Sequence, residues 1–343
     1  MKDQRERQAR DLYQGLKDIL EHRQSSVKIS IEGEGIHWSC LAERDHLSCS
    51  ISCYGHSGPE YYITFYHDTE ESGTARILSI SDTLAAVKSW LAGRTLTEMY
   101  DRFQFVDRDK RVQMLFRANL LLAIPALKDM TTIQIEHMGA DSYHLKIRGQ
   151  DRSGEIHTIG KEKQPDAFFA WDDCVLFRFK VADQRKLAQV VKRWICDRIM
   201  PSTLQAEFPW IEMSEVAEYY EQGNPIEGEF IVSWDSVEDI YDYIINSPEY
   251  REQIRAFMDS LRKKGYDRSL RAGQSMSTFV LSRSRRHGME PDDPSLAFDF
   301  RDDHIIVYNY LNRGKDIETR YQTTELNPEI DGLLQELIAK PIG

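Results

Sequence analysis

One sequence pattern occurs twice in this chain, and the repeat constrains the fold more than any other feature. The segment 87–90, VKSW, recurs at 191–194 as VKRW, and the aromatic segment 103–105, FQF, recurs at 208–210 as FPW. The spacing is 104 residues for the tryptophans and 105 for the aromatic segments, so a single insertion reconciles the two copies. Self-similarity at a fixed spacing is typical of tandem structural units, so we expect a modular protein.

An apolar stripe near the end of the chain indicates a third copy. The apolar residues at 333–338 have the same spacing as those at 190–195, although the tryptophan is absent. With 343 residues, the chain is also longer than one typical domain of about 100–150 residues. We therefore predict three modules, at 1–106, 107–225 and 226–343.

Each module reads as a helix, four or five strands and a second helix. In the first, helical spacing of apolar residues indicates a helix over about residues 3–23, and alternating stretches between 27 and 80 indicate strands, with one turn at 70–73. Ser81 and Asp82 should cap the next helix. Because the helices lie outside the run of strands, we predict an α+β fold of antiparallel meanders, each covered by helices on one face.

The second and third modules follow the same order. In the second, a helix over about residues 107–124 ends before a proline, and Asp183 is placed to cap the following helix. In the third, Asn327 and Pro328 have the favoured order for opening the last helix. The buried face expected in the helix at 107–124 consists of Val112, Leu115, Leu121 and Leu122. The buried face expected in the leading helix of the third module consists of Ile254, Phe257, Met258 and Leu261.

Composition restricts the compartment and the partners. Five cysteines, an odd number, do not form a disulfide framework in a chain of this length, so we expect reduced thiols and a cytoplasmic location. The charged first residues lack the apolar core of a secretory signal, and the longest apolar run, 120–127, is far shorter than the ~20 residues of a membrane span. The net charge of −12 disfavours nucleic acid and membranes as partners.

A strongly acidic and aromatic segment, residues 201–250, joins the second and third modules. It contains twelve Asp or Glu residues, no Lys, Arg or His, and nine aromatic residues. Disordered acidic segments lack aromatic residues, so we expect this one to fold, with a row of carboxylates on one side of a helix and a packed apolar stripe on the other. The carboxylates are Asp235, Glu238, Asp239 and Asp242, and the stripe is Val237, Ile240, Tyr241, Ile244 and Ile245.

The next segment, 251–287, reverses the charge, with ten Lys or Arg residues against three acids. The two segments could pair with each other or be solvated, and exposed pairs are worth only ~0–1 kcal/mol each. Alternatively, the acidic face could bind a basic protein, because complementary charge accelerates association and aromatic residues supply anchors. Both interpretations remain open. The candidate partner-binding residues are Glu212, Glu215, Glu218, Asp235, Glu238, Asp239 and Asp242.

Two further groups of residues carry weaker signals for metal binding. Cys49 and Cys53 have a C-x(3)-C spacing and His56 follows them, but no second ligand pair completes a structural zinc site. The acids at 292–303, with His304, could hold Mg²⁺, although a hairpin turn explains the pair at 302 and 303 better. The basic cluster at 283–287 is too short to indicate a nucleic-acid site by itself.

The remaining motif classes are missing from the sequence. It contains no phosphate-binding or dinucleotide-binding loop, no nucleophile elbow and no H-E-x-x-H motif, so we expect no cofactor and favour a non-enzymatic function. The leading hypothesis is a cytoplasmic interaction protein that presents an acidic surface to a basic partner, as an inhibitor, an immunity protein or a defence-complex component would. The alternative is a metal-dependent hydrolase or nuclease. A small-ligand pocket between a sheet and its helix is a third hypothesis.

Overall fold

The computed structural model describes residues 2–20, 26–54, 58–139, 142–158, 164–245, 247–286, 293–312 and 317–343. Within these ranges the protein is α+β, with eleven α-helices and sixteen strands that form three antiparallel sheets of five or six strands. Strands that are consecutive in the chain are neighbours in every sheet. The short alternating stretches of the sequence therefore form meanders, as predicted.

The first sheet follows the opening helix. The elements are α1 (Lys2–Leu20), β1 (Lys28–Glu34), β2 (His37–Arg44), β3 (Leu47–Cys53), β4 (Tyr61–His67), β5 (Glu70–Ile77), α2 (Ile80–Leu91) and α3 (Leu96–Arg102). The strand order is β1-β2-β3-β4-β5. Leu12 and Leu16 of α1 lie in the same buried cluster as Ile51 of β3 and Trp90 of α2, so residues of both helices contribute to one core with the sheet.

Two local predictions for this region are wrong. The cap of α2 is Ser79, whose hydroxyl accepts a hydrogen bond from the backbone N–H of Asp82 at 3.3 Å, and not Ser81. The predicted turn at 70–73 is the first part of β5, because the chain already reverses at Asp68, where the backbone adopts a left-handed φ of 53°. Asp is one of the few residues with a side chain that visits this region readily.

The second sheet has six strands. The elements are α4 (Arg108–Ala123), α5 (Leu127–Met130), β6 (Thr132–His137), β7 (Tyr143–Arg148), β8 (Arg152–His157), β9 (Asp166–Trp171), β10 (Cys174–Lys180), α6 (Gln184–Val191), α7 (Pro201–Glu207), β11 (Glu212–Met213) and α8 (Val216–Glu221). The strand order is β11-β10-β9-β8-β7-β6. Asp183 caps α6, as predicted, because its carboxylate accepts a hydrogen bond from the Arg185 backbone N–H at 2.8 Å.

Helix α6 continues into a single π-helical turn, Lys192–Cys196. The backbone N–H of Asp197 donates to the carbonyl oxygen of Lys192 at 2.9 Å, which is the i to i+5 bond of a π-helix. Trp194 lies within this turn and is fully buried.

Helix α4 has the predicted bounds but buries a different face. Leu115 and Leu122, expected in the core, are 60% and 80% exposed. The buried face instead contains Gln113, whose side-chain amide donates to the carbonyl oxygens of Tyr143 and Ile156, each at 3.0 Å. These bonds give the buried Gln113 amide two backbone partners on β7 and β8, and they hold this face of the helix against the sheet despite the apolar pattern of its sequence.

The third sheet follows two long helices. The elements are α9 (Pro225–Ile244), α10 (Pro248–Lys263), β12 (Arg271–Ser275), β13 (Thr278–Ser282), β14 (Ser295–Phe300), β15 (Ile305–Asn309), β16 (Ile317–Tyr321) and α11 (Pro328–Ile338). The strand order is β12-β13-β14-β15-β16. The predicted cap of α11 is confirmed, because the Asn327 side chain accepts from the Ile330 backbone N–H at 2.9 Å. The predicted buried face of α10 is also confirmed: Ile254, Phe257, Met258 and Leu261.

The chain divides into two compact units. The first unit contains Met1–Asp173 and Phe179–Arg198, and the second contains Cys174–Arg178 and Ile199–Gly343. In the second unit, a buried cluster includes Trp234 of α9 together with apolar residues of α10, α11 and the third sheet. Among the helices of the described ranges, none combines the length and the apolar composition that crossing a membrane requires.

Candidate functional site

The seven candidate partner-binding acids lie on three elements of the second unit. Glu212 is on β11, Glu215 immediately precedes α8, and Glu218 is within α8; all three side chains are exposed. The other four acids lie on α9, the long helix that also carries the buried Trp234. The acidic segment is therefore folded, as the density of its aromatic residues predicts.

Three of the four α9 acids form ion pairs with arginines of α10. The guanidinium of Arg262 lies 2.6 Å from Asp235 and 3.2 Å from Glu238. Asp242 pairs with Arg255 and lies 3.7 Å from Arg251. Partial burial raises the pKa of Glu238, although Arg262 opposes this shift. The internal pairing that the sequence left open is thus present, and it reduces the negative charge that this side of α9 offers to another molecule.

A different side of α9 faces solvent. Asp239 is exposed and no ion pair is described for it, while Ile240 is 38% and Tyr243 is 90% exposed. At 100° per residue, Asp239, Ile240 and Tyr243 lie on one side of the helix, which we call the α9 outer face. The expectation that Ile240 and Ile244 pack in the core is wrong, because only Val237, Tyr241 and Ile245 of that stripe are buried.

A buried ion cluster, which the charge pattern does not predict, lies at the other end of α9. Glu229 is only 6% exposed, and its two carboxylate oxygens accept hydrogen bonds from the Arg285 guanidinium at 2.8–3.2 Å. The Tyr220 hydroxyl also donates to Glu229, and Arg286 lies 3.8 Å away. Burial raises the pKa of Tyr220 above its usual range, and the hydrogen bond to Glu229 adds to this shift.

This cluster also accounts for much of the basic segment at 283–287. Arg285 and Arg286 pair with Glu229, and Arg283 donates to the backbone carbonyl oxygens of Ser269, at 2.6 Å, and Lys340, at 3.1 Å. His287 lies outside the described residues. The three arginines therefore have structural partners within the second unit, and none of these contacts is of a kind that implies a nucleic-acid surface.

Cys49 and Cys53 face the core of the first sheet. Both are buried, as is Cys40 on β2, and His56 lies outside the described residues. Burial raises the pKa of Cys40 and of Cys53 to about 12, and it raises that of Cys49 well above the ordinary value. All three cysteines pack in the apolar core of the first unit, where an uncharged thiol resembles a small apolar side chain.

Thiol reactivity tests this interpretation. We expect at most two of the five cysteines, the half-buried Cys174 and Cys196, to react with an aromatic disulfide reagent in the native protein at pH 8, and all five to react in denaturant. The reason is that a raised pKa lowers the thiolate fraction at a given pH and burial blocks the reagent. Rapid native reaction of three or more thiols would contradict the assignment.

The acids near His304 form the predicted hairpin turn. Residues 302–303 connect β14 and β15, and the Asp303 carboxylate bonds to Nδ1 of His304 at 2.6 Å. Asp299 pairs with Arg301, and Asp292 lies outside the described residues. A side chain that pairs with its chain neighbour stabilises a turn. Among the described residues near this turn, no three possible metal ligands lie close together.

One group within the described residues does bring three possible metal ligands together, and it lies in the first unit. His144 of β7 is directly opposite His157 of β8, and the two imidazole rings stack with centroids 3.5 Å apart and planes 12° from parallel. Glu155 lies two residues from His157, and its Oε2 is 3.0 Å from His157 Nε2. One donor atom from each of these three residues lies within 4.8 Å of the others.

Two charged residues, Lys146 and Glu136, lie beside this group. Lys146 lies 2.8 Å from Glu136 and 3.4 Å from Glu155, so it balances both carboxylates. Burial, with a smaller effect of His157, lowers the pKa of His144. The hydrogen bond from His157 is the main cause of the lowered pKa of Glu155. Burial thus favours the neutral form of His144, which lies on the same face of the sheet as the Glu155 carboxylate.

Sequence reasoning missed this group because His144 is eleven residues from Glu155 and thirteen residues from His157. The available signal is the alternation H-x-K at 144–146 and E-x-H at 155–157, since residues two apart share a face of a strand. Which strands pair, and in which register, is what brings the two segments together. A comparison with protein-family models, with curated proteins and with solved structures finds no match to this chain.

Proposed function

We propose that this chain acts by binding another protein, and that the α9 outer face of the second unit binds a basic, partly apolar segment of that partner. The observation that carries the proposal is the exposure of Tyr243, at 90%, beside Ile240 and Asp239 on a helix that contains no Lys or Arg. Exposed aromatic and aliphatic side chains that lie together mark interaction surfaces. Tyrosine is among the residues that most often dominate binding energy at interfaces.

Charge supports the same partner chemistry. The α9 outer face belongs to a fifty-residue acidic segment without a basic residue, and the exposed Glu212, Glu215 and Glu218 add to the negative potential of the second unit. The α10 arginines compensate one side of α9 and leave Asp239 uncompensated. A basic partner would be attracted over long range and anchored by Tyr243.

We also infer that the three sheets belong to copies of one module, each covered by its helices on one face, with boundaries near residues 106 and 225. Trp90 donates its indole N–H to the carbonyl oxygen of Tyr66 at 3.2 Å, and Trp194 donates to that of Ala170 at 3.3 Å. Tyr66 and Ala170 both lie on the fourth strand of their module, twenty-four residues before the tryptophan. Equivalent anchors at equivalent positions support a repeat.

An inhibitor, immunity or defence-complex protein in the cytoplasm fits this combination of repeated modules and an acidic surface. Such a protein needs a rigid scaffold and a charged face, and it needs no catalytic group. All five cysteines are unpaired, which agrees with a reducing compartment. The alternative, a metal-dependent hydrolase, gains support only from the His144, Glu155 and His157 group.

Variants of the α9 outer face test the proposal. The full-length chain would be tagged and used to capture proteins from its host at low and high salt, as wild type, Asp239→Lys and Tyr243→Ala. We expect the wild type to capture a basic protein at low salt. High salt should release this protein, and neither variant should capture it. In titrations with that purified protein, Tyr243→Ala should weaken binding at least about 30-fold, the effect of a typical hot-spot residue.

Matched controls separate the surface from general effects of charge and aromatic loss. Asp101→Lys reverses an exposed helical acid of α3 for which no ion pair is described, and Tyr310→Ala removes a 40% exposed tyrosine elsewhere in the second unit. Both should bind the partner as wild type does. Equal capture by all variants, or a captured partner that is itself acidic, would sink the proposal.

A further inference from the structure

We propose that His144, Glu155 and His157 form a binding site for a divalent transition metal, with Zn²⁺ as the best-suited ion. The three residues lie in the first unit, on the face of β7 and β8 opposite the buried Leu145 and Ile156, and the proposal does not rest on the proposed interaction surface. Two imidazole nitrogens and one carboxylate oxygen are the donor set of many zinc sites that keep a further position for water or substrate. Imidazole nitrogen also favours transition metals over Mg²⁺ and Ca²⁺.

The sheet fixes the three ligands to a rigid framework. His144 and His157 are cross-strand partners in the antiparallel pair β7 and β8, and Glu155 follows the same face two residues before His157. Leu145 and Ile156, on the opposite face of the two strands, are buried in the core and hold the strands in this register. A one-residue register slip of either strand would turn the ligands of that strand toward the core, so the pairing that buries the apolar residues also assembles the site.

A second observation supports ligand binding by His144. Its Nδ1 is shielded from solvent and has no hydrogen-bond partner among the residues that the structure describes. A buried polar atom without a partner is unfavourable, because folding removes the water that would otherwise bind it. Binding of an ion by the His144 ring would remove this cost, either directly at Nδ1 or by turning the ring so that Nδ1 reaches solvent.

The stacked rings define how the side chains must move. A ring nitrogen binds a metal along its lone pair, which lies in the plane of the ring. Because the two ring planes are nearly parallel and their centroids are 3.5 Å apart, one ion cannot lie in both planes. At least one imidazole must therefore tilt about its side-chain bonds. Rotation of the side chains would also bring together the three donor atoms, which lie within 4.8 Å of one another.

Lys146 opposes the metal. Its ammonium group lies 3.4 Å from Glu155 and 2.8 Å from Glu136. It therefore supplies the positive charge beside Glu155 that a bound metal ion would otherwise supply. A dication that binds Glu155 must displace this ammonium group or tolerate its repulsion. Removing the lysine charge should consequently tighten metal binding, whereas a group with only a structural role would gain no metal affinity from that change.

Titration of the full-length protein with ZnCl₂ tests the site, with the metal content measured after desalting. We expect one Zn²⁺ per chain. His144→Gln, His157→Gln and Glu155→Gln should each weaken binding by more than about 100-fold, since even outer-shell partners of metal ligands contribute 10–100-fold. Lys146→Gln should bind Zn²⁺ more tightly than wild type. Replacement by Co²⁺ should give the visible absorption of a site with nitrogen ligands, and His157→Gln should abolish it.

A second pair of close histidines provides the control. His46, in the turn between β2 and β3, and His67 of β4 have ring centroids 4.6 Å apart, but they belong to no three-ligand group of the described residues. His46→Gln should therefore leave Zn²⁺ binding unchanged. Circular dichroism of each variant would identify any that fail to fold. Equal metal binding by wild type and the folded His144→Gln variant, or absence of binding at all, would overturn the proposal.

Discussion

Replacing Glu229 with Gln is expected to lower the free energy of unfolding of the second unit by about 3–5 kcal/mol, because one member of a buried ion pair is lost. The Glu229 side chain is 4% exposed and that of Arg285 is 22% exposed, so water compensates little for the missing charge. Gln preserves the volume of the side chain and removes the carboxylate that accepts three hydrogen bonds from Arg285. The Arg285 charge would then remain in the interior without its carboxylate.

An ion pair between the partly exposed Glu227 of the same helix and Arg268 provides the control. Glu227 lies 3.5 Å from Arg268, with side-chain exposures of 36% and 69%, so Glu227→Gln should cost no more than ~1 kcal/mol. Urea unfolding gives both values, and hydrogen exchange in α9 and the third sheet assigns them to the second unit. Equal unfolding midpoints for the two variants would contradict the assigned role of Glu229.

A double variant distinguishes the lost pair from a lost packing contact. Glu229→Gln combined with Arg285→Met removes both charges, and we expect it to recover most of the stability lost in Glu229→Gln alone. Replacing a whole buried pair by groups without charge is often nearly neutral. If the double variant were as unstable as the sum of the two single variants, packing and not charge would explain the effect.

Replacing Trp194 with Ala is expected to destabilise the first unit by about 3–5 kcal/mol, the usual cost of deleting a large buried aromatic side chain. Trp194 is fully buried, and its indole N–H donates to Ala170 at 3.3 Å. Its ring also lies 4.0 Å from the guanidinium carbon of Arg152, which stacks on Trp171 from 4.2 Å. The substitution leaves a cavity and removes one of the two rings against which this buried cation packs.

Leu122 in the same unit is the matched control, because it is a large apolar residue on a helix and is 80% exposed. Leu122→Ala should change stability by no more than about 0.5 kcal/mol. Trp194→Phe keeps an aromatic ring but loses the N–H donor, so its loss of stability should lie between those of Leu122→Ala and Trp194→Ala. Thermal or urea unfolding measures all three. A loss in Leu122→Ala as large as that in Trp194→Ala would contradict the observed orientation of α4.

The sequence predicts the class of the fold because its signals are local. Period-two alternation identifies the strands, and the caps at Asp183 and Asn327 mark helix starts through bonds between near neighbours. Prediction from the sequence fails where contacts with residues distant in the chain determine how an element packs. The orientation of α4 depends on Gln113 reaching carbonyl groups of β7 and β8, thirty or more residues away. No pattern within the helix reveals those bonds.

The candidate sites show the same limit. The charge pattern correctly identifies an acidic face on α9, but it cannot separate Asp239, which faces solvent, from Asp235, which pairs with Arg262. Glu229 looks like the other acids of its segment until its burial is known. The pairing of His144 with His157 requires the register of β7 and β8, which only the whole sheet determines. Composition predicts which charges exist, and three-dimensional contacts determine which remain available.

The π-helical turn after α6 bears on how such a chain could arise. The first residue of the aromatic segment lies thirteen residues after Trp90 in the first module and fourteen residues after Trp194 in the second. The i to i+5 bond from Asp197 to Lys192 accommodates one additional residue inside a helix. If the modules descend from a duplicated gene, this turn is where the second copy would hold its additional residue, while the indole of each copy bonds to the fourth strand of its sheet. The inherited core could then persist while the sequence beyond it diverged.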